Sequence, residues 1–144
     1  MKQISLLMVI ALAVVLFGCA RDMTKLDTPP PETAIKAAVN EIAPNDALQK
    51  TQAAYSQFVD VRTPEEYAAG HAARAINIPL NELPERLDRL EKNEPVYVIC
   101  QTGRRSKEAS EILVKNGYNW VFNVSGGTAA WESAGLPIEK PAAK

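Results

Sequence analysis

Val96-Tyr97-Val98-Ile99-Cys100-Gln101-Thr102-Gly103-Arg104-Arg105-Ser106 is the stretch on which the reading of this chain turns. A short apolar run, of strand length, ends in a cysteine. A compact loop with one glycine and two arginines follows. A helical pattern then runs from Ser106 to Asn116, with Ala109, Ile112 and Leu113 on its inner stripe and Gly117 as its stop. A strand that hands its last residue to a helix N-terminus belongs to layered α/β folds, where ligands bind at the carboxyl ends of the strands. Unpaired amides and the helix dipole both favour an anion there. A thiolate is such an anion, so Cys100 is expected to have a lowered pKa and to act as a nucleophile. The plainer reading is a buried cysteine serving as a small hydrophobe. The converging cations Arg104 and Arg105 weigh against it.

Working outward, strand-like and helix-like segments alternate. Pro44-Asn45-Asp46 starts a helix that offers Ala47 and Leu48 for burial. Phe58 to Val61 is a short buried strand. Thr63-Pro64-Glu65-Glu66 is a helix start, with a capping threonine, a proline in the first turn and acids against the dipole; Gly70 ends that helix. Ala75 to Ile78 is a strand stopped by Pro79. Asn81 to Lys92 reads as a helix, with Leu83, Leu87 and Leu90 on one stripe and the charges from Glu82 to Glu94 on its solvated face. Trp120 to Val124 is a further strand, and Gly127 to Ala134 a last helix ending at Gly135-Leu136-Pro137. Upstream, Ile35, Val39 and Ile42 have helical spacing within Ala34 to Ile42. The alternation predicts an α/β fold with a mainly parallel central sheet flanked by helices.

The reactive loop resembles that of the rhodanese family of sulfurtransferases, which opens on the catalytic cysteine and carries glycine at its fourth position, here Gly103. The resemblance extends to Phe58-Val59-Asp60-Val61-Arg62, to Glu65-Glu66-Tyr67, to Gly70-His71, to Ala75-Ile76-Asn77-Ile78-Pro79, and to Val124-Ser125-Gly126-Gly127 followed by Ala130-Trp131. These pieces occur in the family's order and cover residues 45 to 141, about two thirds of the chain, the size of one domain. The resemblance implies a three-layer rhodanese-like fold over residues 45–142. It also implies sulfur transfer from thiosulfate or a similar small anionic donor, through a Cys100 persulfide, to a thiol or cyanide acceptor; a protein acceptor is a further option. Where the family has Ile-Pro-Gly-Ala after Gly-His, this chain has Ala72-Ala73-Arg74-Ala75.

In this reading the amides of Gln101, Thr102, Gly103, Arg104, Arg105 and Ser106 hold the negative persulfide. Arg104 and Arg105 are candidates to bind the anionic donor, with the option that one of them serves a structural carboxylate instead. Asp60 and Arg62 are assigned a supporting charge network. His71, the one histidine, is assigned to the fold, and Trp131 and Trp120 to the core or its rim. The thiolate is itself the nucleophile, so no general base, metal or cofactor is required. Cysteine phosphatases space their arginine one residue further from the cysteine; here Ser106 holds that place. The shorter ring favours the outer sulfur of a persulfide over a phosphate. A non-catalytic persulfide carrier and, behind it, a cysteine phosphatase or arsenate reductase stand as alternatives.

Residues 1–18 read as an export signal: Lys2 supplies a positive start and an apolar run from Ile4 to Phe17 follows, shorter than the ~20 residues that span a bilayer. Leu16-Phe17-Gly18-Cys19 resembles a bacterial lipobox, which implies a lipid on Cys19 and an envelope lipoprotein on the periplasmic side. Ala20 after the cysteine favours the outer membrane. The alternative is cleavage after Ala20 and a soluble periplasmic protein. Residues 19–44 then form a lipid anchor and linker, stiffened by Thr28-Pro29-Pro30-Pro31-Glu32. With Cys19 acylated or removed, Cys100 is the sole thiol of the two cysteines, with no disulfide partner. One cysteine and one histidine are too few for a structural zinc, which takes about four ligands. A formal net charge of −1, becoming −2 after cleavage before Cys19, offers no basic footprint for nucleic acid.

Overall fold

In the computed structural model, which describes residues 38–140, the elements in chain order are β1 (Val39–Ile42), α1 (Pro44–Thr51), β2 (Gln57–Asp60), α2 (Pro64–Ala69), β3 (His71–Ala72), β4 (Ile76–Asn77), β5 (Val96–Ile99), α3 (Arg104–Lys115), β6 (Val121–Val124), α4 (Gly127–Ser133) and β7 (Ile138–Glu139). Five strands form one sheet in the order β1-β6-β5-β2-β4, every pairing parallel. This is the α/β architecture that the alternating pattern predicts. β5 lies at the centre and is buried on both faces, which is why its sequence is continuously apolar rather than alternating. Val96 and Val98 pack with Ala109 and Leu113 of α3. Tyr97 and Ile99 face the opposite cluster, with Ala47 of α1 and Trp131 of α4. The sheet is thus the middle layer of three.

Among the described residues, two stretches expected to be helical are not. Val39–Ile42 is a parallel edge strand, paired from Val39 with Val121 to Ile42 with Val124, and not the end of a helix over Ala34 to Ile42. β-branched Val39 and Ile42 suit a sheet edge, and the ladder to β6 overrides their helical spacing. Residues 34–37 lie outside the described residues. The sheet therefore takes in the end of the 19–44 stretch read as linker. Between Asn81 and Lys92 there are only two 3-10 turns, Leu83–Glu85 and Leu87–Arg89. Pro84 lies in the opening turn, where a proline is tolerated; the break falls after it, at Arg86, whose φ of −120° and ψ of 19° leave the helical region. The leucine stripe nevertheless points inward: Leu83 and Leu90 are buried, and Leu87 packs against them. Tyr118 pins the segment: its hydroxyl donates to the Leu87 carbonyl at 2.5 Å and lies 3.1 Å from the Leu90 carbonyl oxygen.

A small antiparallel pair, β3 with β7, has no counterpart in the sequence reading; both strands have two residues, too short for a periodicity. Trp131 is fully buried, its ring beside Phe58, and its indole N–H donates to the Pro137 carbonyl at 3.0 Å. Trp120 is half-buried. His71 stacks on Tyr67 with ring centroids 3.6 Å apart, and its Nδ1 lies 2.9 Å from the Tyr67 carbonyl. Arg74, at the departure from the Gly-Ala pattern, takes a left-handed conformation with φ 71°. Among the described residues no helix is long and apolar enough to cross a membrane. Cys19 and residues 1–18, read from the sequence as an export signal, lie outside them.

Candidate active site

β5 ends at Ile99 and delivers Cys100 to the carboxyl edge of the sheet, as the sequence predicts. The turn back into α3 is made by Gly103, which caps that helix with φ 93° and ψ −13°, a left-handed conformation suited to glycine. A glycine cap carries no side chain to accept from the first free amides of the helix. The Cys100 sulfur takes that place. Sγ accepts from the Gly103 amide at 3.1 Å and from the Ser106 hydroxyl at 3.3 Å. Burial of the thiol raises its pKa, since Cys100 is only 1% exposed. The Ser106 hydroxyl and the amides of Ser106, Thr102 and Gly103 outweigh that effect and hold the pKa below its ordinary value. The helix begins at Arg104, two residues earlier than the sequence suggests, so both arginines sit in its first turn.

A loop can aim amides inward only if its carbonyls find partners outside. α4 supplies them. The Thr128 amide and hydroxyl donate to the Cys100 carbonyl at 2.7 and 3.1 Å, and the Ala129 amide donates to the Gln101 carbonyl at 3.1 Å. This contact requires glycine before Thr128: a Cβ on Gly127 would lie 2.2 Å from the Cys100 carbonyl oxygen and 2.7 Å from the Gln101 carbonyl carbon. The Gly126-Gly127 pair is therefore the seat of the reactive loop. The next strand joins in through Glu41 of β1, whose carboxylate accepts from Asn123 and from the Ser125 hydroxyl beside that pair.

Asp60 and Arg62 are both buried and form a two-pronged ion pair at 2.7 Å. Arg62 also donates to the Gly70 carbonyl at 2.8 Å and to the Gln101 side chain at 3.3 Å, which joins the end of β2 to the reactive loop. Arg105 donates through both terminal nitrogens to Glu66, at 2.8 and 2.7 Å. This pair, together with the Thr63 amide, holds the Glu66 carboxyl down at about 2. Arg105 is held in its charged form first by Glu66, with the charge of Cys100 a smaller contribution. Arg104 is exposed and makes no ion pair among the described residues. The Thr102 side chain is exposed and that of Gln101 half-buried. Beside the loop an open groove of about 370 Å3 runs between Arg105, Glu108 and Ile112 of α3 and the Pro79-Leu80-Asn81 turn, with Val61 in its wall.

Three participants escape the sequence reading. Glu66 stands out there as a first-turn acid, but its partner is 39 residues away. Thr128 and Glu41 give no signal, because their contacts lie across 28 and 82 or more residues.

Residues 43–134 match the rhodanese-like domain family model. A sulfurtransferase of Allochromatium vinosum is 40% identical over 84 residues, 58% of this chain and 78% of its own length. The thiosulfate sulfurtransferase GlpE of Actinobacillus pleuropneumoniae is 34% identical over 99 residues, 69% of this chain and 92% of its own. The crystal structure of a rhodanese-related protein from Thermoplasma volcanium superposes with a TM-score of 0.63 at 36% identity, over 69% of this chain and 97% of that one. Sequence match and fold agree, and the chain belongs to the rhodanese-like domain family, which has sulfurtransferases among its members.

Proposed function

We propose that this chain is a thiosulfate sulfurtransferase working by double displacement at Cys100. The observation that carries the reading is the thiol itself: a buried sulfur that accepts from the Ser106 hydroxyl and the Gly103 amide at the head of α3, contacts that favour its ionised form. The thiolate attacks the sulfane sulfur of a donor such as thiosulfate. The S–S bond of the donor breaks, sulfite leaves with the electron pair, and a Cys100 persulfide remains. Its outer sulfur carries the negative charge in the ring of amides from Gln101 to Ser106, an arrangement fixed before the reaction and so without reorganisation cost. An acceptor, cyanide or a thiol, takes that sulfur and returns the pair to Sγ. Arg104, exposed at the rim, is the better placed of the two arginines to meet the donor's oxygens, because Arg105 is committed to Glu66. Arg62 and Asp60 act through Gln101 and hold the loop.

The carrier reading shares the persulfide and differs in turnover. The phosphatase or arsenate reading is weakened by the short loop and by the engagement of Arg105. For location we propose a lipoprotein of the cell envelope anchored through Cys19, a reading that rests on Leu16-Phe17-Gly18-Cys19.

Intact mass spectrometry tests both parts. Protein isolated from membranes is expected to begin at an acylated Cys19. Thiosulfate is expected to add one sulfur, cyanide to remove it, and Cys100→Ala to abolish the gain. No sulfur gain on a reduced Cys100 would overturn thiosulfate as donor. A gain without multiple turnover would favour the carrier.

A further inference from the structure

The Ser106 hydroxyl sits at a fork. It is fully buried, 3.3 Å from Sγ of Cys100 and 3.1 Å from the carbonyl oxygen of Gly103. Both geometries suit donation, but a hydroxyl has one hydrogen. It therefore serves one acceptor at a time, and the charge on each decides which. A thiolate is the stronger acceptor, since hydrogen bonds to ionised groups are about twice as strong as neutral ones. In a persulfide the charge sits on the outer sulfur, and Sγ becomes a weak acceptor, so the Gly103 carbonyl wins.

We propose that Ser106 is a catalytic residue for sulfur release, its hydroxyl turning from the Gly103 carbonyl to Sγ as that atom regains its charge. The inference rests on the double-displacement reading and adds an asymmetry between the half-reactions. During loading, Sγ forms a bond to the sulfane sulfur and loses charge while sulfite departs. A donor on Sγ gives that step no help beyond enlarging the ionised fraction. During release, the acceptor bonds to the outer sulfur, the bond from that sulfur to Sγ breaks, and the electron pair returns to Sγ. A hydroxyl that turns to Sγ as the charge returns stabilises the leaving thiolate, so Ser106 lowers the barrier of the second step only. No proton is exchanged with the substrate in either step.

Single-turnover kinetics on the full chain carrying Cys19→Ser, so that Cys100 is the only thiol, tests this directly. Iodoacetamide alkylation against pH first gives the thiol pKa of each protein, and Ser106→Ala is expected to raise it by about one unit. Loading by thiosulfate is then followed at a pH where both proteins are ionised, and release by cyanide is followed from the loaded state. Ser106→Ala is expected to slow release about tenfold and to leave loading within about twofold, the scale of one lost hydrogen bond to a charged sulfur. Ser110→Ala controls for a buried hydroxyl removed nearby, since Ser110 donates to the Ser106 carbonyl and not to sulfur; release is expected to be unchanged. Equal slowing of both half-reactions, or an unchanged release rate, would overturn the role of Ser106. Absence of loading in the parent protein would instead overturn the sulfurtransferase reading itself.

Discussion

Gly127 stands where the space for a side chain is already filled by the Cys100 carbonyl oxygen, and its φ of 59° is strained for any residue with a Cβ. Gly127→Ala is therefore expected to push α4 off the reactive loop. Denaturant titration should show a loss of roughly 2–5 kcal/mol from overpacking and backbone strain together. Iodoacetamide should then react with Cys100 along a pH profile shifted toward that of an ordinary thiol. An unchanged profile would mean that the loop holds its amides inward without α4. At this scale the sequence is informative wherever the parts of the site are contiguous: Cys100, Gly103 and Ser106 are neighbours in the chain and in space. Gly126-Gly127 is visible as a motif, but its task appears only when Gly127 is seen against the Cys100 carbonyl, 27 residues away in the chain.

At the level of elements, the start of α2 is tied to the start of α3. Thr63 and Glu66 cap each other reciprocally, and Glu66 also takes both nitrogens of Arg105. Glutamine can keep the capping bond but not the charge, so Glu66→Gln isolates the ion pair. The side chains of Arg105 and Glu66 are 27% and 35% exposed, so solvent screening limits the pair to about 1 kcal/mol. Glu66 ionises at about 2 in the fold against 4.5 in an open chain. The pair thus contributes fully above pH 4.5 and its contribution fades as the pH falls toward 2. Urea midpoints for the two proteins should differ at neutral pH and converge in acid; parallel curves would remove Glu66 from the ledger. The helix start at Thr63-Pro64 is legible because capping is a local pattern. The Asn81–Lys92 segment misleads because its leucine spacing matches a helix while the chain breaks at Arg86 into two 3-10 turns. β1 misleads for the opposite reason: its preference is set by a neighbour, β6, some 80 residues on.

For the whole molecule, β1 matters more than its four residues suggest. The family match begins at residue 43, one position beyond β1. A chain shortened to begin at Ala43 is expected to have a lower denaturation midpoint. It should also show faster amide hydrogen exchange in β6 (Val121–Val124), which would become an edge, and weaker support for Ser125 once Glu41 is gone. Unchanged exchange in β6 would show that the sheet closes without its fifth strand. The parallel pairing also has a mechanical meaning. β1 enters the sheet at the end remote from Cys100 and meets the reactive edge with its last two residues, Ile42 accepting from the Ser125 amide at 3.0 Å and Glu41 from the Ser125 hydroxyl at 2.8 Å. Tension on the chain upstream of Ala38 runs along β1 and sets its whole ladder to β6 in shear, so that the bonds must fail together and not one by one. Such a strand shields the thiol from force: the cradle keeps its shape under a pull on the N-terminal side until β1 gives way as a unit.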